Sequence, residues 1–135
     1  MGITQYSFER LEVWQEAMQL AARVYQITKT FPKDEWYGIV SQMRRAAASI
    51  PANIAEGRGR FSKKEQVQFF YNARGSLYEL LTFLKLVLQL DYLKQSDYLE
   101  AEMLCNSVLG KLSGLINAMK VSIPSPFTLH PSPSR

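Results

Sequence analysis

Thiol and imidazole chemistry are almost missing from this chain, which has one cysteine, Cys105, and one histidine, His130. A lone cysteine forms no intrachain disulfide and suits a reducing cytoplasm, where the protein is expected to reside. His130 has no second histidine or cysteine beside it to complete a metal site, and no Ser-His-Asp set can form without a placed histidine. Long apolar runs are missing as well. The longest, Leu80 to Leu90, is broken by Lys85 and falls short of the ~20 residues that cross a bilayer, so no membrane is expected as a partner. The opening MGITQYSFERLE has no basic cap leading into an apolar core, and no secretion signal is read there. Two-residue alternation between turn signals is absent, which argues against strands and against a phosphate loop following one. No cofactor is expected, and the Met and aromatic residues fall at core spacing. These gaps leave an enzyme with little to work with.

What remains is a single domain's length, 135 residues, with an ordinary globular hydrophobic fraction of 47%. The net charge of +4 is unevenly placed. Residues 1–34 carry four basic and four acidic side chains, and residues 65–135 carry six of each. The whole surplus lies in residues 35–64, where Arg44, Arg45, Arg58, Arg60, Lys63 and Lys64 face only Glu35 and Glu56.

Periodicity predicts four helices. The first runs from about Phe8 to Phe31, with Leu11, Trp14, Met18, Ala21, Ala22 and Tyr25 on its apolar side and Glu9, Glu12, Glu16, Gln19 and Arg23 opposite. Pro32 ends it, and Asp34 is the expected N-cap of a second helix from about Glu35 to Glu56, stopped by Gly57 and Gly59. Ser62 and Glu65 have capping-box spacing and open a third helix that reaches about Leu90. A fourth, from about Ser96 to Met119, aligns Tyr98, Ala101, Cys105, Val108, Leu112, Leu115 and Met119. Short connections between long helices make an antiparallel up-down-up-down four-helix bundle over residues 1–121. The proline-rich stretch 122–135 is expected to be a mobile tail.

Two helices carry more faces than a bundle core needs. On the third, one apolar stripe holds Val67, Phe70, Tyr71, Leu77, Tyr78, Leu81, Leu84 and Leu88, and a second holds Phe69, Ala73, Leu80, Phe83, Val87 and Leu90. The second stripe either lines a wide groove between neighbouring helices or meets another subunit. On helix 2, Ile39, Met43, Ala46, Ala47, Ile50 and Ile54 face the core. Gln42, Arg45, Ser49, Asn53, Glu56 and Arg60 form a polar stripe, and Arg44, Ala48, Ala52 and Ala55 a small-residue row open to close helix approach. The expected interface between copies therefore comprises Ala48, Ala52, Ala55, Phe69, Leu80, Phe83 and Val87. Pro51 removes a backbone hydrogen bond and leaves the Ala47 carbonyl free, so a kink is expected, locked by Arg45, Asn53 and Glu56. Glu56 has no second acid or histidine near it in sequence to make it catalytic. Arg74 falls in the core-facing stripe, paired with an acid such as Glu56 or lying at a subunit boundary.

The run QMRRAAASIPANIAEGRGR (residues 42–60), with Glu35-Trp36-Tyr37 before it and the ARGSLYEL segment after it, resembles the four-helix-bundle family of 23S rRNA-intervening-sequence proteins. The N-terminal FERLEVWQEA is similar to that family's opening as well; the tail departs from its pattern. The resemblance implies a bacterial bundle that closes into a ring, typically a homopentamer. In shape the family is similar to the accessory proteins of diversity-generating retroelements, basic pentamers that bind a reverse transcriptase and nucleic acid.

Nucleic-acid binding is the leading functional expectation. Arg58, Arg60, Lys63 and Lys64, with Arg44 further off, surround a connection where glycines would leave amides open and where the third helix begins, a combination that suits phosphate. Phe61 either stacks on a base or anchors the turn. The competing expectation is a scaffold whose ring binds a protein, such as a reverse transcriptase or a ribosome-associated factor.

Overall fold

A computed structural model describes residues 5–121; the expectation of a mobile tail over 122–135 lies outside the described residues. The described chain is all-α. Four α-helices, α1 (Glu12–Thr28), α2 (Ser41–Arg58), α3 (Lys63–Gln89) and α4 (Gln95–Val121), follow a single 3-10 turn at Ser7–Arg10. Each helix packs on its neighbour in sequence, and α1 closes against α4. No helix among the described residues is long and apolar enough to cross a membrane.

The core is one continuous cluster drawn from all four helices. On α4 it holds Tyr98, Ala101, Cys105, Val108 and Leu112 as the periodicity predicts, with Ile116 completing the stripe and Leu115 and Met119 at its margin. Burial pushes the Cys105 thiol up to about 12, so it stays protonated and behaves as a small apolar side chain. On α1 the buried apolar residues are Val13, Ala17, Leu20, Val24 and Ile27, one position out of phase with the predicted stripe. Leu11, Trp14 and Ala21 only edge the core, while Met18 and Tyr25 are 45% and 43% exposed. The helix has two adjacent apolar stripes, and the one with smaller side chains is buried because it lets α2 and α4 approach.

On α3 the two predicted stripes merge. Val67, Phe70, Ala73, Leu77, Leu80, Leu84 and Val87 form the buried face. Leu80 and Val87, expected at a subunit interface, are both 0% exposed within one chain, and Phe83 packs at the core margin. The physical reason is position: α3 lies between α2 and α4 and uses a wide arc to meet both.

Polar seams join the helix pairs. Arg23 reaches from α1 to Asp97 (3.1 Å) and Glu100 on α4. Farther along, Glu16 accepts hydrogen bonds from Ser107 (2.5 Å) and Lys111 (2.6 Å). The Lys111 ammonium holds the Glu16 carboxyl below its ordinary range, and the Ser107 hydroxyl adds to this. Glu16 in turn raises Lys111. The pair is therefore fully formed at neutral pH. It weakens as pH falls through the lowered Glu16 value or rises through the raised Lys111 value.

Two helix ends differ from the sequence reading. Between α1 and α2 the chain forms a 3-10 turn at Lys33–Glu35 and a single π-helical turn at Trp36–Val40, so α2 begins at Ser41 without an Asp34 cap. Gly57, read as a stop, lies inside α2 and is buried. After α3, Asp91 adopts a left-handed φ of 61°. Its amide meets the Leu88 carbonyl (3.1 Å) and the Tyr92 amide meets that of Val87 (3.0 Å), a Schellman ending with aspartate in the usual glycine position. The Tyr92 hydroxyl then donates to Glu35 (2.8 Å) and its ring packs on Phe31, tying this turn to the α1–α2 connection.

Candidate nucleic-acid interface

The α2–α3 connection is only four residues long, Gly59 to Ser62, and it is tightly bonded. The Gly59 amide is shared between the Ala55 and Glu56 carbonyls (3.2 Å each), and the Arg60 amide bonds Gly57 (3.2 Å). These amides are not open to a ligand, contrary to expectation, because α2 tightens into its last turn instead of fraying at the glycines. The Ser62 hydroxyl accepts from the Glu65 amide (3.1 Å) and caps α3. It also donates to the Glu65 carboxylate (3.3 Å), so Ser62 and Glu65 make half of a capping box. Gln66 fastens the loop from the other side by donating to the Arg60 carbonyl (2.8 Å).

A tightly bonded loop and the two helix ends that flank it thus hold four cations. Arg58, Lys63 and Lys64 are exposed and have no hydrogen bond or ion pair among the described residues. Arg60 pairs with Glu56 (2.8 Å) and lies over the Phe69 ring at 4.7 Å. Phe61 is 101% exposed, so it anchors nothing within the chain. Of the two readings of this ring, only the one that leaves it free for an external contact fits its position.

Arg44 does not join this cluster. Its Nε donates to the Thr28 hydroxyl (2.9 Å), and a terminal nitrogen donates to the Tyr25 carbonyl (3.2 Å). Its guanidinium lies 4.7 Å from the Tyr25 ring centre and 5.2 Å from that of Trp36. It is a clamp between the end of α1 and the start of α2, most of the length of α2 away from Arg58. Sequence reasoning placed it with small residues on the correct side of the helix but had no signal for a partner on the preceding helix.

The polar stripe of α2 does not form the expected lock. Ser49 meets the Ser76 hydroxyl of α3 (2.5 Å), Asn53 donates to the Ser49 carbonyl (2.8 Å), and Glu56 turns to Arg60. Arg45 and Gln42 instead line an open groove with Glu79. The helix continues through buried Pro51 as one element. Arg74 reaches α4, with Ser113 at 3.4 Å and the Tyr71 ring at 5.0 Å, because its face of α3 points away from α2. Of the interface residues, Ala48 and Ala52 are exposed, and Ala55 and Phe69 are half-buried. Ala52 and Ala55 floor an open cleft of about 520 Å³ bounded by Phe8, Glu56 and Arg60. Among the described residues no group of three His, Cys, Asp or Glu side chains could hold a metal ion.

Known proteins give this arrangement a context. No curated protein matches the chain. A solved structure, of a protein with unknown function from the S23 ribosomal protein family of Bacteroides thetaiotaomicron, superposes with a TM-score of 0.73. It shares 20% identity over 78% of this chain and 95% of that one, a likeness of fold. The sequence model of the 23S rRNA-intervening sequence proteins matches residues 9–114, which takes in all of α1, α2 and α3 and most of α4. With that match over most of its length, the chain belongs to the 23S rRNA-intervening sequence protein family.

Proposed function

We propose that this protein is a non-enzymatic nucleic-acid binder of the cytoplasm that grips the phosphate backbone with the α2–α3 loop. The observation that carries the reading is the composition of the loop and the helix ends beside it: Arg58, Lys63 and Lys64 exposed and unpaired among the described residues, Arg60 between them, and Phe61 fully exposed, all on a backbone fixed by hydrogen bonds. Long, unpaired cations on a rigid turn suit phosphates, which are read by charge and not by sequence. Fluorescence anisotropy with labelled RNA and DNA across a salt series tests it. With four phosphate contacts on a single strand, affinity should fall about 50-fold between roughly 50 and 200 mM salt. Changing Arg58, Arg60, Lys63 and Lys64 together to Ala should remove both the binding and the slope. A flat salt response, or full binding by the quadruple variant, overturns the assignment and moves the search to a protein partner such as a polymerase or ribosome-associated factor.

The same reading includes a ring of copies, five by the resemblance to the family, joined through the outer face of α1 and α2. Exposed Ala48 and Ala52, the adjoining cleft and the half-exposed Met18 support it, since small residues let a second helix approach closely. A ring repeats the loop around a circle and lets weak contacts add. Ala52→Leu should reduce the mass seen in light scattering to that of the 15.5 kDa chain; an unchanged mass excludes this face as the contact.

A further inference from the structure

At the opposite end of α2 from the basic loop lies a second group of aromatic and cationic side chains. Tyr37 is 100% exposed and Trp36 41%, both in the π-helical turn that leads into α2. They border an open cleft of about 380 Å³ that Arg44 and Arg45 also line. The ring of Trp36 is not loose: the Arg44 guanidinium lies against it and is itself held by Thr28 and Tyr25. Arg45 lines this cleft and has no hydrogen bond or ion pair among the described residues. Glu35, the carboxylate next in the chain, is engaged by the Tyr92 hydroxyl. The site therefore offers a fixed ring, a free ring one residue away and an unpaired cation.

From this geometry we infer that the Trp36–Tyr37 turn is a stacking site for an unpaired base of a single-stranded nucleic acid, with Arg45 taking the adjoining phosphate. The inference rests on the nucleic-acid reading above and adds a strand preference to it. A base inside a duplex cannot reach an aromatic face, whereas a splayed base of either RNA or DNA can. The two sites lie at the two ends of α2, whose 18 residues span about 27 Å. At about 3.4 Å per nucleotide of a stacked strand, that distance corresponds to about eight nucleotides. One strand engaging both sites would gain from their linkage.

The chain has two tryptophans, so Trp14→Phe leaves Trp36 as the sole indole reporter. In that background, single strands of about 12 and about 4 nucleotides and a duplex of about 12 base pairs are titrated while indole emission and the anisotropy of the labelled strand are both followed. The longer strand should quench Trp36 and bind well above the shorter one, and the duplex should leave the emission unchanged. Tyr37→Ala should weaken binding of the longer strand about tenfold, and Tyr37→Phe should restore it. Since the Tyr37 side chain is fully exposed, neither change disturbs packing. Binding with unaltered Trp36 emission and no effect of Tyr37→Ala would overturn this inference while leaving the basic loop intact. Loss of solution mass in Tyr37→Ala would instead mark the turn as a contact between copies and overturn it too. The quadruple loop variant reports on the first reading separately, and absence of any binding at low salt ends both.

Discussion

Gly57→Leu should destabilise the protein by about 3 kcal/mol or more, enough to leave part of it unfolded at physiological temperature. Even a single Cβ at this position would stand 2.7 Å from Cε1 of Phe70, 3.0 Å from the Gln66 carbonyl oxygen and 3.0 Å from Cβ of Phe69. The Phe70 ring could rotate, but the Gln66 carbonyl belongs to the backbone of α3, so relief requires the two helices to separate. Gly57→Ala should follow the same direction by about 1–2 kcal/mol. Two residues on, a Cβ at Gly59 would meet nothing nearer than 3.7 Å, and the backbone there has a helical φ of −85°. Gly59→Ala should therefore be neutral or stabilise by about 0.4–1 kcal/mol by restricting the unfolded chain. Urea unfolding of the three variants separates these cases. Equal effects at both glycines would mean that the α2–α3 approach yields easily and that Gly57 is there for some other reason.

Arg44→Ala should cost about 2 kcal/mol, a fall in Tm of about 6–10 °C. The side chain joins α1, α2 and the intervening turn through two hydrogen bonds and two ring contacts. Thr28 keeps its own bond to the Val24 carbonyl (2.7 Å), so the loss is limited to the clamp and does not strand a buried hydroxyl. Arg44→Lys should recover less than half of the loss, because a compact ammonium cannot bridge two acceptors while lying flat between two rings. Thermal unfolding checks both values. A change within about 0.5 kcal/mol for Arg44→Ala, the range of an ordinary surface substitution, would mean that the clamp forms without stabilising the fold.

Much of the bundle was legible from the sequence, for reasons that lie in local chemistry. The α3 start follows from Ser62 and Glu65, and the α4 face from unbroken spacing of Tyr98, Ala101, Cys105, Val108 and Leu112. What was misread depended on neighbours distant in sequence. Helix α1 has two rival apolar stripes, and only the presence of α2 and α4 decides which is buried. Gly57 has the same letter whether it ends a helix or admits another one, and the choice rests on Phe70 and Gln66 across the gap. Leu80 and Val87 looked surplus because a wheel counts stripes and not the number of helices that surround them. At the basic loop the cations were found directly from charge clustering. The exposure of Phe61 and the absence of open glycine amides required the backbone path.

The complete burial of Leu80, Leu84 and Val87 inside one chain also means that a single chain closes its own core. A core closed by a single chain forms by a unimolecular reaction, so folding of one chain does not wait for a collision, and only binding between folded copies would make the melting point depend on concentration. Under the proposed ring, assembly would be a separate equilibrium governed by mass action. In that reading, copies would join and part as intact, folded units.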